Sequence, residues 1–297
     1  MNQEEQNNLN KQLIEYSKEG NLELIQSLIS KGANIHVNDD YPLRFSARKG
    51  HLEIIKYLVE NGADIHAENN YALRLATQKR HSEIVKYLVE NGADIHIEND
   101  CFLRYASEKG YLEIVKCLVE HGANIHVHDD YSLRFALLEG HLEVIKYLVE
   151  HGANIHTQDN RALKIAAEKR FLEIVKYLVK QGANINAEED YSLRFAVNKG
   201  YLDIVQCLVE NDADIHVKDD AILKSAIYNG HLEIIEYLLF DCQMQIKEET
   251  KDWLMKNNQE TILELIEKRD DIIKNYKNLE KLKNNDSVDN LKKKVKL

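Results

Sequence analysis

The sequence predicts an all-α solenoid of stacked antiparallel helix pairs with short connecting loops and a helical cap at each end. Three observations lead there. The stretch HLEVIKYLVEHGANIH at residues 141–156 returns in variants every thirty residues, from NLELIQSLISKGANIH at Asn21 to HLEIIEYLLF at His231. A period between about 20 and 50 residues marks units that cannot bury their apolar face alone and must stack. Within each unit the apolar residues recur at helical spacing, not in strict alternation. Only one proline (Pro42) and twelve glycines occur, the glycines mostly at fixed places in the repeat.

The elements follow in order. After a polar lead (residues 1–8), the first unit (9–38) has a more polar first helix, Lys11 to Glu19 with Leu13 as its core leucine, and reads as an N-terminal cap. Seven further units cover 39–68, 69–98, 99–128, 129–158, 159–188, 189–218 and 219–248. Aligned, they form columns. Asp40, Asn70, Asp100, Asp130, Asn160, Asp190 and Asp220 are all good helix N-caps, so each is expected to start the first helix of its unit. The leucines at 43, 73, 103, 133, 163, 193 and 223 and the Ser46/Ala76 column three residues on give that helix one apolar face with a small residue for close approach. Gly50, Gly110, Gly140, Gly200 and Gly230 stop it; Arg80 and Arg170 stand at two of these places, at a left-handed cost of roughly 1 kcal/mol each.

The second helix of a unit runs from about Leu52 to Glu60. Leu52, Ile54, Ile55, Leu58 and Val59 form its apolar face, and Glu53, Lys56 and Glu60 its solvent stripe. Gly62 and its equivalents end it, with Asp212 as the exception. Ser82 stands where other units hold leucine, which makes the third unit the expected weakest link, a buried leucine being worth roughly 1.5–3 kcal/mol. The eighth unit loses its glycine loop and ends FDCQMQIK. Beyond it, residues 249–284 read as a C-terminal cap, a degraded helix pair with Trp253, Leu254, Ile262, Leu265 and Ile266 inward, the helix continuing through Ile272, Ile273, Tyr276 and Leu279. The basic end, 285–297, reads as a disordered tail.

Charge narrows the partner class. The chain carries −11 overall; 13 basic and 11 acidic residues lie from Lys247 on, which leaves −13 on residues 1–246. So acidic a body repels phosphate, so no nucleic acid is expected as a partner, and net charge alone favours basic partner surfaces. The four cysteines have no metal-ligand spacing, and Cys117 and Cys207 take the place tyrosine holds in other units, so they read as core thiols. The start MNQEEQNNLN has no signal-peptide character and no apolar run approaches a membrane span. A soluble intracellular monomer without membrane contact is expected, with Lys292–Lys296 either a nuclear import signal or a solvated tail.

GHLEIIKYLVENGADIH resembles the second helix and loop of ankyrin repeats, and YPLRFSARKG resembles their T-P-L-H-x-A-A-x-x-G first helix. The likeness runs through eight consecutive units. It implies stacked antiparallel helix pairs with loops projecting to one side, and a protein that binds other proteins on a concave face of loops and inner helices. The family unit has about 33 residues; here three are missing from the loop between His66 and Tyr71, which shortens the projecting finger. Thirty-residue units rich in Lys, Asn, Ile and Tyr also resemble the ankyrin proteins encoded by giant DNA viruses of amoebae.

His36, His66, His96, His126, His156 and His216 form a column with Asn186 in the gap. Successive members sit in different repeats, which the family stacks too far apart to share one tetrahedral ion, so the column reads as structural and no metal is expected. The resemblance makes Asn186 and the aligned histidines candidate hydroxylation targets. The ladder Arg44, Arg74, Arg104, Arg134, Lys164, Arg194 and Lys224 reads as bracing for the turn, with an anion-binding stripe as the other reading.

The columns that vary between units are the candidates for partner contact. One is Arg48, Gln78, Glu108, Leu138, Glu168, Asn198 and Tyr228; another holds Tyr41, Tyr71, Tyr131, Arg161 and Tyr191, with Phe102 beside Cys101. Aromatics make favoured anchors, so Tyr131, Leu138, Tyr191 and Tyr228 lead this set. The other readings are unconstrained drift and, for the tyrosines, filler against the shortened loop. No glycine-rich phosphate loop, nucleophile motif or metal cluster is visible, so neither cofactor nor catalysis is expected. The sequence thus predicts a non-catalytic scaffold for protein–protein interaction. The alternative is an adaptor whose C-terminal segment recruits a ubiquitin ligase or other host machine, although no F-box-like or BTB-like segment is present.

Overall fold

The structure, a computed structural model, describes residues 2–257 and 259–284. It contains eighteen α-helices and one π-helical turn, with no strand among the described residues. The chain forms two compact units, Met1–Ala183 and Asn184–Leu297.

In the first unit six helix pairs stack in two rows. The inner row is α1 (Gln3–Glu19), α3 (Val37–Lys49), α5 (Ala67–Gln78), α7 (Ile97–Glu108), α9 (Val127–Glu139) and α11 (Thr157–Glu168). The outer row is α2 (Leu22–Ser30), α4 (Leu52–Glu60), α6 (Ser82–Glu90), α8 (Leu112–Glu120), α10 (Leu142–Glu150) and α12 (Leu172–Lys180). Each inner helix packs on the next inner helix and on its own outer partner, so the core is built pair by pair. It consists of Leu43 and Ala47 from α3 and Ile54, Ile55 and Leu58 from α4, all 2% exposed or less, with their equivalents in the other pairs, of which Leu24 in the N-terminal pair is exposed. Ser46 and Ala76 are fully buried, which lets neighbouring inner helices approach closely.

The outer apolar face is narrower than the sequence predicts: Leu52 and Val59 are half-buried. Ser82 is half-buried as well, so it replaces a leucine that would itself be only partly covered. The third unit therefore loses less than a fully buried leucine is worth.

The Asp40 column departs from the expected N-cap. Asn38, Asp39 and Asp40 have φ of +51°, +55° and +56°, three successive residues in the left-handed region. Residues 68–70, 98–100, 128–130 and 188–190 repeat the conformation. A side chain in the left-handed helix costs roughly 1–2 kcal/mol per residue, least for Asn and Asp, which dominate here. The turn falls in the loop that is three residues short of the family unit. The buried Asp40 caps no helix; its Oδ1 accepts the backbone N–H of Asp64, at the far end of the same unit, at 2.9 Å. Asn10 accepts from Asn34, Asn70 from Asp94 and Asp100 from Asn124 in the same way. The column is a strap between the two ends of each repeat.

A second strap was not foreseen. His51, His81 and His141 lie against the turn that ends the preceding inner helix, their Nε2 atoms 3.4, 3.3 and 2.9 Å from the carbonyls of Lys18, Arg48 and Glu108. A Cβ at Gly110 would stand 2.6 Å from the His141 ring, so the glycine is needed for contact as well as for its φ of +71°. Where Arg80 replaces glycine it keeps φ +60°, and its guanidinium lies 5.4 Å over the Tyr111 ring that takes the histidine's place.

The second unit repeats the scheme with α13 (Ala187–Lys199), α14 (Leu202–Val209), α15 (Val217–Asn229) and α16 (Leu232–Glu236), which passes into a π-helical turn, Tyr237–Asp241. Its cap is α17 (Glu248–Lys256) and α18 (Glu260–Asn284). Leu254, Ile262 and Ile266 are buried as expected, Trp253 and Leu265 half-buried, and the backbone helix continues past Leu279. One residue of the cap was missed: Arg269 is 3% exposed, and its Nη1 donates to the carbonyls of Met244 (2.6 Å) and Leu239 (3.5 Å). The guanidinium satisfies chain ends that the lost glycine loop would otherwise close. Lys292–Lys296 and the rest of the basic tail lie outside the described residues.

Candidate functional site

The residues that vary between units project from the inner helices. On α3 the positions Tyr41, Arg44, Phe45 and Arg48 follow the i, i+3, i+4, i+7 spacing of one helix face. Leu43, Ser46 and Ala47 take the buried side, which turns the first set outward.

The tyrosines are tied into this face by stacking. The Tyr41 and Phe45 rings lie 5.4 Å apart, Tyr131 and Phe135 4.0 Å, and Tyr191 and Phe195 6.0 Å. Guanidinium groups sit between them: Arg44 is 5.6 Å from Tyr41 and 5.8 Å from Tyr71, and Tyr131 is 5.2 Å from both Arg104 and Arg134. Such contacts contribute about 0.5–1 kcal/mol each where exposed.

The arginines also brace the left-handed turn, though through backbone and not through the Asp or Asn four residues before them. Arg44 Nη2 donates to the Asn38 carbonyl at 2.6 Å, Arg104 Nη2 to Glu98 at 2.8 Å and Arg194 Nη2 to Glu188 at 3.1 Å. Arg74 differs: its Nη2 donates to the Glu98 carboxylate at the far end of its own unit at 2.8 Å.

The expected contact residues divide by exposure. Arg48, Gln78, Arg161, Asn198, Tyr71 and Tyr228 are exposed, Tyr228 to 83%; Tyr41, Glu108, Tyr131, Leu138, Glu168 and Tyr191 are half-buried. Phe102 is a correction. It is 2% exposed, packed in the core with Arg74 5.7 Å from its ring, and offers a partner nothing. The Phe45, Leu75, Tyr105, Phe135, Phe195 column was missed, although its place four residues after the tyrosines marks the same face.

Clefts open between consecutive inner helices at equivalent positions. One of about 450 Å³ lies between α3 and α5, lined by Tyr41, Arg44, Phe45, Arg48, Glu68, Tyr71 and Leu75. In the second unit one of about 340 Å³ lies between α13 and α15, lined by Tyr191, Arg194, Phe195, Asn198, Ala221, Ile222 and Ser225. Between α9 and α11 a space of only about 10 Å³ lies among the buried Leu133, Leu137 and Ala162, so it is no counterpart of these clefts.

The local charge reverses that of the whole chain. Residues 41–50 hold Arg44, Arg48 and Lys49, and residues 71–80 hold Arg74, Lys79 and Arg80, with no acidic residue in either stretch. The acidic groups concentrate on the turns and outer helices, as in Asp39-Asp40 and Glu53.

The histidine column is structural in its contacts. His36, His96, His126 and His216 pair through Nδ1 with Asp40, Asp100, Asp130 and Asp220 at 2.8–3.1 Å, while His66 and His156 face Asn70 and Asn160. Asn186 is exposed, and its backbone N–H donates to Asn184 Oδ1 at 3.1 Å. No group of three or more potential metal ligands is found among the described residues. Burial pushes the Cys117 thiol up to about 11 and raises Cys101 and Cys242, which holds these thiols in the un-ionised form that is a poor nucleophile. Among the described residues no helix is long and apolar enough to cross a membrane.

No curated protein matches the chain. A family model described as ankyrin repeats (3 copies) matches residues 13–99, 103–189 and 187–252, well over half of the sequence. Ankyrin repeats are generally scaffolds for protein–protein interaction. By this match and by its stacked helix pairs the chain belongs to the ankyrin repeat family.

Proposed function

We propose that the protein is a non-catalytic scaffold that binds a protein partner through the face formed by its inner helices and adjoining turns. The observation that carries this reading is the confinement of variation. Core positions such as Leu43, Ile55 and Leu58 keep leucine or another aliphatic residue from unit to unit. The Arg48 column instead reads Arg, Gln, Glu, Leu, Glu, Asn, Tyr at exposed or half-exposed sites. Packing explains the first pattern and leaves the second to recognition. The thirty-residue unit and its Lys, Asn, Ile and Tyr content support a viral protein acting on host or viral proteins inside the host cell.

The adaptor alternative draws less support, because Leu254, Ile266 and Arg269 of the C-terminal segment are committed to packing against the last repeat.

Cross-linking of the full chain in host lysate, followed by mass spectrometry, tests the proposal. The expected result is a partner whose capture is lost in Leu138→Arg and Tyr228→Ala and kept in Glu53→Arg on an outer helix. Capture that survives the first two and fails in the third would move the interface to the outer helices.

A further inference from the structure

We infer that the cleft between α3 and α5 takes an acidic peptide segment of the partner, with its carboxylates on Arg48 and Arg44. The inference rests on the interface reading above and names the chemistry of what that face holds.

Net charge argues for a basic partner, and the cleft argues the reverse. Arg48 is exposed, its guanidinium is 5.7 Å from the Phe45 ring, and it has no carboxylate partner. Lys49 lies 5.6 Å from the same ring, also without one. Arg44 spends Nη2 on the Asn38 carbonyl, and its buried Nε has no acceptor. Several lysines of the outer helices are matched instead: Lys56 with Glu53 at 2.7 Å, Lys116 with Glu113 at 3.0 Å and Lys146 with Glu143 at 2.7 Å. The cations beside the cleft are thus held by rings and not by carboxylates, as Arg80, Arg104 and Arg134 are elsewhere along the inner row, and here two such arginines, Arg44 and Arg48, line one cleft. Stacking limits the rotamers of Arg48 before anything binds, which lowers the ordering cost of binding, and a planar guanidinium matches a carboxylate in bidentate fashion.

Size and surroundings define the rest. About 450 Å³ accommodates one or two side chains, and Tyr41, Phe45, Tyr71 and Leu75 give it apolar walls. Glu68 is the single acidic residue of the lining, at the rim. An extended polyanion such as RNA would meet the acidic turns on both sides, whereas a short acidic segment meets only the cleft. The equivalent cleft in the second unit has Asn198 in place of Arg48 and lacks the pair of cations.

Fluorescence anisotropy on the full chain tests this with four labelled probes of equal length: a Glu/Tyr peptide, its Gln/Tyr and Lys/Tyr counterparts, and oligouridine. The Glu/Tyr peptide is expected to bind at least about tenfold tighter than the other three. Arg48→Glu should remove about tenfold or more of that affinity, Arg48→Lys less, and Lys256→Glu on the C-terminal cap none. Thermal melts confirm that each variant is folded. Equal binding of the Gln and Glu peptides, oligouridine binding more tightly than peptide, or indifference to Arg48→Glu overturns the inference. In each of those cases a lysate partner lost in Leu138→Arg would still uphold the interface reading, so the two failures are distinguishable.

Discussion

Asp220 and Asp190 occupy one column and differ in what surrounds the carboxylate. Burial would raise both. At Asp220 that effect is outweighed by hydrogen bonds from His216, from Thr250 Oγ1 at 2.9 Å and from the Lys247 backbone N–H, and the carboxyl is held below its ordinary range. At Asp190 burial prevails over the hydrogen bond from the Asp214 N–H and raises it. The signs are therefore opposite. A lowered folded-state value stabilises the fold above the unfolded aspartate value, about 3.9, and that contribution is lost as pH falls toward the folded value. A raised value does the reverse: the ionised form costs stability at neutral pH, and the cost is relieved as pH falls through it. Asp220→Asn should cost about 1–3 kcal/mol at pH 7 and lessen acid sensitivity, because it weakens buried hydrogen bonds to a charge. Asp190→Asn should be neutral or slightly stabilising at pH 7, as Asn70 already serves the same strap. Urea unfolding of the full chain at neutral and acid pH decides, and an equal loss in the two variants at pH 7 would refute the distinction.

At the scale of the element, the helices were legible because a repeated chain prints its core positions many times. Leu43, Ile54, Ile55 and Leu58 stand at helical spacing in every unit, and stacking admits little else there. The turn was legible in length and not in conformation. Three missing residues predicted a shorter finger, but a left-handed turn at Asn38-Asp39-Asp40 depends on the contacts that Arg44 and the Asp64 backbone make with it, which spacing does not show. The two straps escaped for the same reason: the partner of Asp40 is 24 residues away at the other end of its unit, and the carbonyl faced by His51 is 33 residues back in the preceding one. Phe102 was misplaced because adjacent helix positions, one outward at 101 and one inward at 102, read alike in composition. The C-terminal cap was legible as an apolar helix pair, while the inward Arg269 looked like an ordinary surface charge. Arg269→Met should leave the Met244 carbonyl without its 2.6 Å donor, at about 1–3 kcal/mol. Hydrogen exchange is expected to quicken in α16 and α17 and to stay unchanged in α4 and α6, where no contact is lost. Uniform acceleration through both compact units would show instead that the cap governs the whole chain.

At the scale of the molecule, stability and recognition are written on different helix faces, and stacking explains why they separate. Each repeat touches mainly its neighbours, so the total is close to a sum of unit and interface contributions. Substituting a core position weakens one interface without altering the exposed face elsewhere. Leu148 is fully buried in α10, and Leu148→Ala should cost about 2–5 kcal/mol through lost contacts and the cavity left behind. Leu138, half-buried on the inner-helix face of α9, has less contact to lose, and Leu138→Ala should cost well under that. For partner capture the order reverses. At a temperature where both variants are folded, Leu148→Ala should keep the affinity of the parent chain, and Leu138→Ala should lower it several-fold. Urea midpoints and partner affinities measured on the same samples place the two variants on perpendicular axes. If both quantities fell together in both variants, the variable columns would be part of the packing, and their freedom between units would need another cause.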